Sequence, residues 1–164
     1  MYGRTLRLYF LVALLLPGTV PLPVTADTGL PIPRFVSVRA GEARMRTGPG
    51  DQYPIDWVYN RRGLPVEILA EYDHWRKVRD RDGVQGWMHK NLLSGQRTVL
   101  VTGEVRSLRS EPSARSEAVA RLAPGVIAEL RRCDAEWCEV ETAGKRGWLR
   151  RTEFWGTYPE ERIE

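Results

Sequence analysis

One pattern is written twice in this chain. Met45-Arg46-Thr47-Gly48-Pro49 recurs as Leu108-Arg109-Ser110-Glu111-Pro112, and Gly86-Trp87-Met88 recurs as Gly147-Trp148-Leu149. Between them Gly63 matches Gly125, Trp75 matches Trp137 and Val78 matches Val140. The offset drifts from 63 through 62 to 61, as single-residue gaps in loops would make it. Five anchors held in order constrain the fold more than any composition figure. The chain must build one small unit twice, over 35–95 and 98–156 of its 164 residues.

Each copy reads as all-β. Gly/Pro punctuation at Gly48-Pro49-Gly50, Pro112 and Ala123-Pro124-Gly125 separates short runs, and no helical period survives across them. Pro65 to Tyr72 (PVEILAEY) carries Val66, Ile68 and Ala70 on alternate positions, as one face of a strand. A tight turn at Asp73-His74 leads into Trp75–Arg79, and Asp82-Gly83 turns the chain again before Val84–Met88. Short strands joined by turns at this density predict a small barrel that closes its own edges. Units this small bury little surface and need local staples.

Ahead of the repeats the composition changes. Arg4 and Arg7 precede an apolar run from Leu8 to Leu16, Pro17, Gly18, Pro21 and Pro23 break it, and Val24-Thr25-Ala26 offers small residues. This is the layout of a secretory signal peptide over 1–26, cleaved after Ala26. The run falls short of the ~20 apolar residues that span a bilayer, so no stable membrane anchor is expected after cleavage. Residues 27–34 read as a Pro-rich linker and 157–164 as a C-terminal tail. Export predicts a periplasmic or secreted protein in an oxidising compartment. The formal charge of +4 loses Arg4 and Arg7 with the leader, which leaves too little basic excess for a nucleic-acid partner. At 42% hydrophobic and 28% charged residues the chain is neither disordered nor a membrane bundle.

Cys133 and Cys138 flank Asp134-Ala135-Glu136-Trp137 at the tip of the second copy's central hairpin. With the turn centred on Ala135-Glu136 they face each other, where Cβ atoms lie ~4.5–5.5 Å apart and a disulfide is within reach. The alternative is a redox-active or metal-binding pair. Redox motifs favour Cys-x-x-Cys, and zinc needs two more ligands than the neighbourhood offers. No metal and no cofactor is expected. A shift of 62 lands on Glu71 and Arg76, which predicts an exposed cross-strand ion pair in the disulfide's place.

Six tryptophans are many for this length, and Trp75, Trp87, Trp137 and Trp148 occupy repeat anchors. Large rings build small cores or wall a ligand groove. Trp87 and Trp148, beside apolar Met88 and Leu149, read as core, whereas Trp75 and Trp137 sit among charges and fit either role. Tyr53, Trp57 and Tyr59 have no aromatic counterpart in the second copy, so the asymmetry points to the first as the binder. The candidate ligand-binding set is Tyr53, Trp57, Tyr59, Tyr72, Trp75 and Trp137. His74 and His89 lack a Cys, Ser–Asp or carboxylate partner at a motif spacing. They read as solvated or capping residues, and no catalytic residue is assigned.

Together, Leu/Met-Arg-x-x-Pro, a turn glycine, a strand, Trp-x-x-Val and Gly-Trp-Met/Leu resemble the bacterial SH3-like (SH3b) domain. The doubled form behind a leader resembles the tandem exported SH3-domain-containing proteins of Gram-negative bacteria, over about 35–159. The resemblance implies two tandem small SH3-like β-barrels, domain 1 over 35–95 and domain 2 over 98–156. It also implies a non-catalytic binding module of the cell envelope that recognises peptidoglycan or peptide ligands through aromatic grooves. The alternative is a periplasmic protein–protein interaction adaptor that ignores the polymer, and a third arrangement has Leu30–Pro33 or Tyr158–Glu164 occupying a groove in cis. The copies differ after the closing motif: His89-Lys90-Asn91-Leu92-Leu93-Ser94-Gly95 in the first, Arg150-Arg151-Thr152-Glu153-Phe154-Trp155 in the second.

Overall fold

The computed structural model describes residues 28–164; the expected leader and its cleavage site at Ala26 lie outside them. The first copy forms strands β1 (Arg34–Val38), β2 (Ala43–Arg46), β3 (Ile55–Tyr59), β4 (Pro65–Tyr72), β5 (Trp75–Arg79), β6 (Gln85–His89) and β7 (Leu93–Ser94). The second repeats them as β8 (Thr98–Val101), β9 (Arg106–Arg109), β10 (Ala118–Leu122), β11 (Ile127–Cys133), β12 (Trp137–Thr142), β13 (Lys145–Arg150) and β14 (Phe154–Trp155). Strand order is β3-β2-β6-β5-β4-β1-β7 in one sheet and β10-β9-β13-β12-β11-β8-β14 in the other. The topology is the same. A single 3-10 turn (Lys90–Leu92, Arg151–Glu153) precedes the last strand of each copy.

Each sheet curls around one core to which all seven of its strands contribute. In the first barrel Val36, Val38, Ala43, Met45, Tyr59, Val66, Ile68, Val78, Met88 and Leu93 pack together. Val99, Val101, Leu108, Leu122, Leu130, Val140, Leu149 and Phe154 do so in the second. Neither cluster contains a tryptophan; Trp148 is buried as expected, at 9% exposure, whereas Trp87 is only half-buried, which corrects its reading as core. Met88 and Leu149 point inward, and the strand's two-residue period turns the neighbouring indoles to the outer face, where the Arg132 guanidinium lies 4.9 Å from the Trp148 ring centre. The glycine ahead of each indole is explained by close approach. A Cβ on Gly86 would sit 2.6 Å from Met45 Cγ, and one on Gly147 would sit 2.5 Å from the Arg109 carbonyl.

Terminal segments close the two barrels. Ile32 packs against the first core and Ile163 against the second. Ile163 also forms an antiparallel bridge with Cys133, whose N–H donates to the Ile163 carbonyl at 2.8 Å. Both segments named as possible cis occupants therefore lie on the barrels. The barrels meet through Phe35, whose ring lies 4.9 Å from both Trp155 and Tyr158. Tyr158 Oη donates to Glu67 at 2.8 Å, and Thr98 Oγ1 donates to the Gly63 carbonyl at 2.7 Å.

The hairpin tips carry different staples at one register position. Cys133 pairs with Cys138 across β11 and β12 and the two form a disulfide. Glu71 pairs with Arg76 across β4 and β5, with Arg76 Nε 3.1 Å from Glu71 Oε1. The ion pair is not exposed as expected: the Glu71 side chain is 0% and that of Arg76 7% accessible. The N-terminal segment covers it. Arg34 pairs with Glu71, and Thr28 donates its backbone N–H at 3.0 Å and its hydroxyl at 2.9 Å. Burial disfavours a charged Glu71, but the hydrogen bonds from Arg34 and Thr28 outweigh it and hold the carboxyl below its ordinary pKa.

Candidate functional site

The strand that follows the first hairpin begins with Trp75, whose register partner is His89 on β6. The imidazole stands edge-on to the indole, centroids 5.4 Å apart. His89 itself is held by the 3-10 turn, since its Nδ1 accepts the Asn91 N–H at 3.3 Å. Glu42, Arg44 and Arg46 approach from β2 and its preceding turn, and Asp51 approaches from the β2–β3 loop. Together with Trp75, His89 and Leu92 they line a hollow of about 320 Å³.

A second hollow of about 350 Å³ lies on the other barrel, lined by Val105, Arg106, Ser107, Arg109, Ala114, Trp137, Arg150 and Glu153. Carried across the repeat, Trp75 becomes Trp137, Arg46 becomes Arg109, His89 becomes Arg150 and Leu92 becomes Glu153. Glu42, Arg44 and Asp51 become Val105, Ser107 and Ala114. The same hollow is built twice. In each, a cation or imidazole from the closing motif rests on the indole; Arg150 lies 5.0 Å from the Trp137 ring centre. In each, one arginine braces the loop that forms the wall: Arg46 Nη1 donates to the Tyr53 carbonyl and Arg109 Nη1 to the Ser116 carbonyl, both at 2.7 Å. That bracing accounts for the arginine of the repeated Leu/Met-Arg-x-x-Pro motif.

The rims differ in charge. Arg44 and Arg46 are balanced by Glu42 and Asp51 in the first hollow, whereas in the second three arginines, Arg106, Arg109 and Arg150, stand against Glu153 and against Glu104, which pairs with Arg106 at 3.2 Å. The second rim is therefore the stronger attractor of anions.

Of the six aromatic residues singled out by sequence, Trp75 and Trp137 lie in these hollows. Tyr59 belongs to the first core, and its hydroxyl donates to Asp80 Oδ2 at 2.8 Å. Burial and that carboxylate push its phenol well above the ordinary pKa. Trp57 and Tyr72 are 51% and 60% exposed on β3 and at the hairpin tip, and Tyr53 lies over Gly48 in the β2–β3 loop. The six do not converge on one surface. Glu42, Arg44, Asp51 and the closing-motif His89 and Arg150 were not chosen as binders from sequence; the signal that finds Arg46/Arg109 and His89/Arg150 is recurrence at the repeat offset.

Among the described residues no helix is long and apolar enough to cross a membrane, and no group of three or more His, Cys, Asp or Glu is placed to hold a metal ion.

The family described as bacterial SH3 domain matches the chain twice, at residues 39–95 and 103–156. No curated protein matches it. Similar solved structures include NlpC2 from Trichomonas vaginalis (13% identity, 76% of this chain and 48% of that one, TM-score 0.36). Another is an NlpC/P60 family protein from Bacillus cereus ATCC 10987 (16% identity, 75% of this chain and 57% of that one, TM-score 0.34). The chain spans about half the length of each.

Proposed function

The chain belongs to the bacterial SH3 domain family, and on that premise we propose that it is a non-catalytic binding module of the cell envelope. Its ligand is peptidoglycan or an extended peptide, held in the two tryptophan-floored hollows. The observation that carries this reading is the duplication of the hollow itself. Trp75 and Trp137 lie outside both core clusters; each is largely buried, at 9% and 8% exposure, and each lines its hollow beside the closing-motif residue. A flat aromatic floor with a polar rim suits the apolar faces and amide groups of a sugar–peptide chain. Two such sites on one chain raise affinity for a repeating polymer through effective concentration.

Both cysteines and one of the two histidines already have structural tasks. The two thiols are consumed in the disulfide, and His89 caps the 3-10 turn. The disulfide also supports an oxidising compartment, which agrees with export directed by residues 1–26.

Co-sedimentation of the oxidised chain with purified peptidoglycan sacculi tests the proposal. Saturable binding is expected, weakened several-fold by Arg44→Glu and more strongly by Arg150→Glu, with Tyr72→Ala unchanged. Absence of binding at tens of micromolar protein, or equal binding by all variants, would count against it.

A further inference from the structure

The chain has two histidines, and the fold brings them together beside the first hollow. His74 stands at the tip of the β4–β5 hairpin and His89 at the end of β6, with ring centres 6.0 Å apart. The Lys90 N–H donates to the His74 carbonyl at 2.8 Å, so the hairpin tip is docked on the closing turn. The second barrel repeats that contact, with the Arg151 N–H donating to the Glu136 carbonyl at 3.0 Å. The side chains differ. At the repeat offset His74 becomes Glu136 and His89 becomes Arg150, so permanent charges stand where the first barrel has two imidazoles.

Imidazole is the side chain that ordinarily changes charge between about pH 5 and 8. The charged groups around this pair are balanced. Arg44 pairs with Glu42 at 3.1 Å and Arg46 with Asp51 at 3.5 Å. Asp73 Oδ1 lies 3.3 Å from His74 Nδ1, and Lys90 follows His89 on the turn. These cations and carboxylates cancel while both rings are neutral, and each proton taken up adds a net positive charge beside Trp75. On His89 the proton goes to Nδ1, which then no longer accepts the Asn91 N–H. The equivalent turn, Arg151–Glu153, forms with a permanent cation at that position, so the turn does not require this bond.

Resting on the reading of the two hollows as binding sites, we propose that His74 and His89 make the first hollow a proton-dependent site for the anionic groups of the ligand. Acidification gives it the positive excess that Arg106, Arg109 and Arg150 supply to the second hollow at neutral and acid pH alike. One ligand is thus held by one barrel throughout and by both barrels only in acid.

Soluble peptidoglycan fragments whose peptides carry free carboxylates are titrated into the full chain at about pH 5.5 and about pH 7.5, with the Trp75 and Trp137 indole N–H signals followed by NMR. Affinity read at Trp75 is expected to rise about fivefold or more at the lower pH, and at Trp137 less than about twofold. His89→Arg, which installs the residue of the second copy, should raise Trp75 affinity at the higher pH and shrink the difference. His74→Gln combined with His89→Gln should leave it weak at both, with thermal melting to show that the variants fold. Equal pH dependence at both indoles, or a dependence at Trp75 that survives the double substitution, overturns the proposal. So does binding at Trp137 with Trp75 silent at both pH values. Silence of both indoles overturns the reading of the hollows as binding sites, and this inference with it.

Discussion

Arg76 faces Glu71 across β4 and β5 at the register position where Cys138 faces Cys133 across β11 and β12. Two copies of one hairpin are thus tied by a buried ion pair and by a covalent bond. The ion pair is sensitive to loss of one member, because the remaining charge stays buried without its counterion. Glu71→Ala strands Arg34 and Arg76 together, and should cost the first barrel about 3 kcal/mol. Hydrogen exchange of the β4 and β5 amides reads this directly. The double variant Glu71→Cys, Arg76→Cys should restore a tie by oxidation, seen as loss of both free thiols.

Reduction should act on the other barrel. A disulfide that closes so short a loop contributes about 2 kcal/mol on the chain-entropy model. Dithiothreitol should therefore speed exchange in β11 and β12, and at the Cys133 amide held by Ile163, while β4 and β5 stay protected. Equal loss in both barrels would contradict the assignment of separate staples.

Acid should undo the covers of both barrels. Glu71 is held below its ordinary pKa by Arg34 and Thr28, and Glu161 by Arg97, each against the opposing effect of burial. A depressed folded-state pKa means that these carboxylates bind protons more readily when unfolded. Their stabilisation is present in full above the unfolded carboxyl pKa, ~4.3 for Glu, and is lost as pH falls through the lower folded values. Melting temperature should drop steeply below that pH, and Glu71→Gln should flatten the drop while lowering stability at neutral pH.

Gly147→Ala should destabilise the second barrel by about 2 kcal/mol or more, because the new Cβ meets the Arg109 carbonyl 2.5 Å away and backbone gives way poorly. Gly144→Ala provides the contrast. It has no atom within 4 Å of the added carbon but a φ of +71°, so its smaller cost is conformational. Urea midpoints of the two variants separate the mechanisms.

Local chemistry was legible in the sequence and long-range cover was not. Alternation and turn residues place β4 at Pro65–Tyr72 and β5 at Trp75–Arg79, as read from those residues alone. The repeat then carries the Cys133–Cys138 register over to Glu71 and Arg76. What hides that ion pair comes from Thr28 and Arg34, roughly forty residues upstream, and no local pattern reports it. The hollows pose the same problem: Trp75 meets Glu42, Asp51 and His89 only once β2, β5 and β6 lie side by side. Trp87 was misread because apolar Met88 next to it suggested a shared core, whereas adjacent strand residues face opposite ways.

The central claim is that ligand rests on Trp75 and Trp137. The six indole N–H signals of the chain, followed by NMR during titration with soluble peptidoglycan fragments, test it most directly. Saturable shifts of Trp75 and Trp137, with exposed Trp57 unmoved, are the predicted result. Shifts confined to Trp57, with Trp75 and Trp137 unchanged at saturation, would contradict the account.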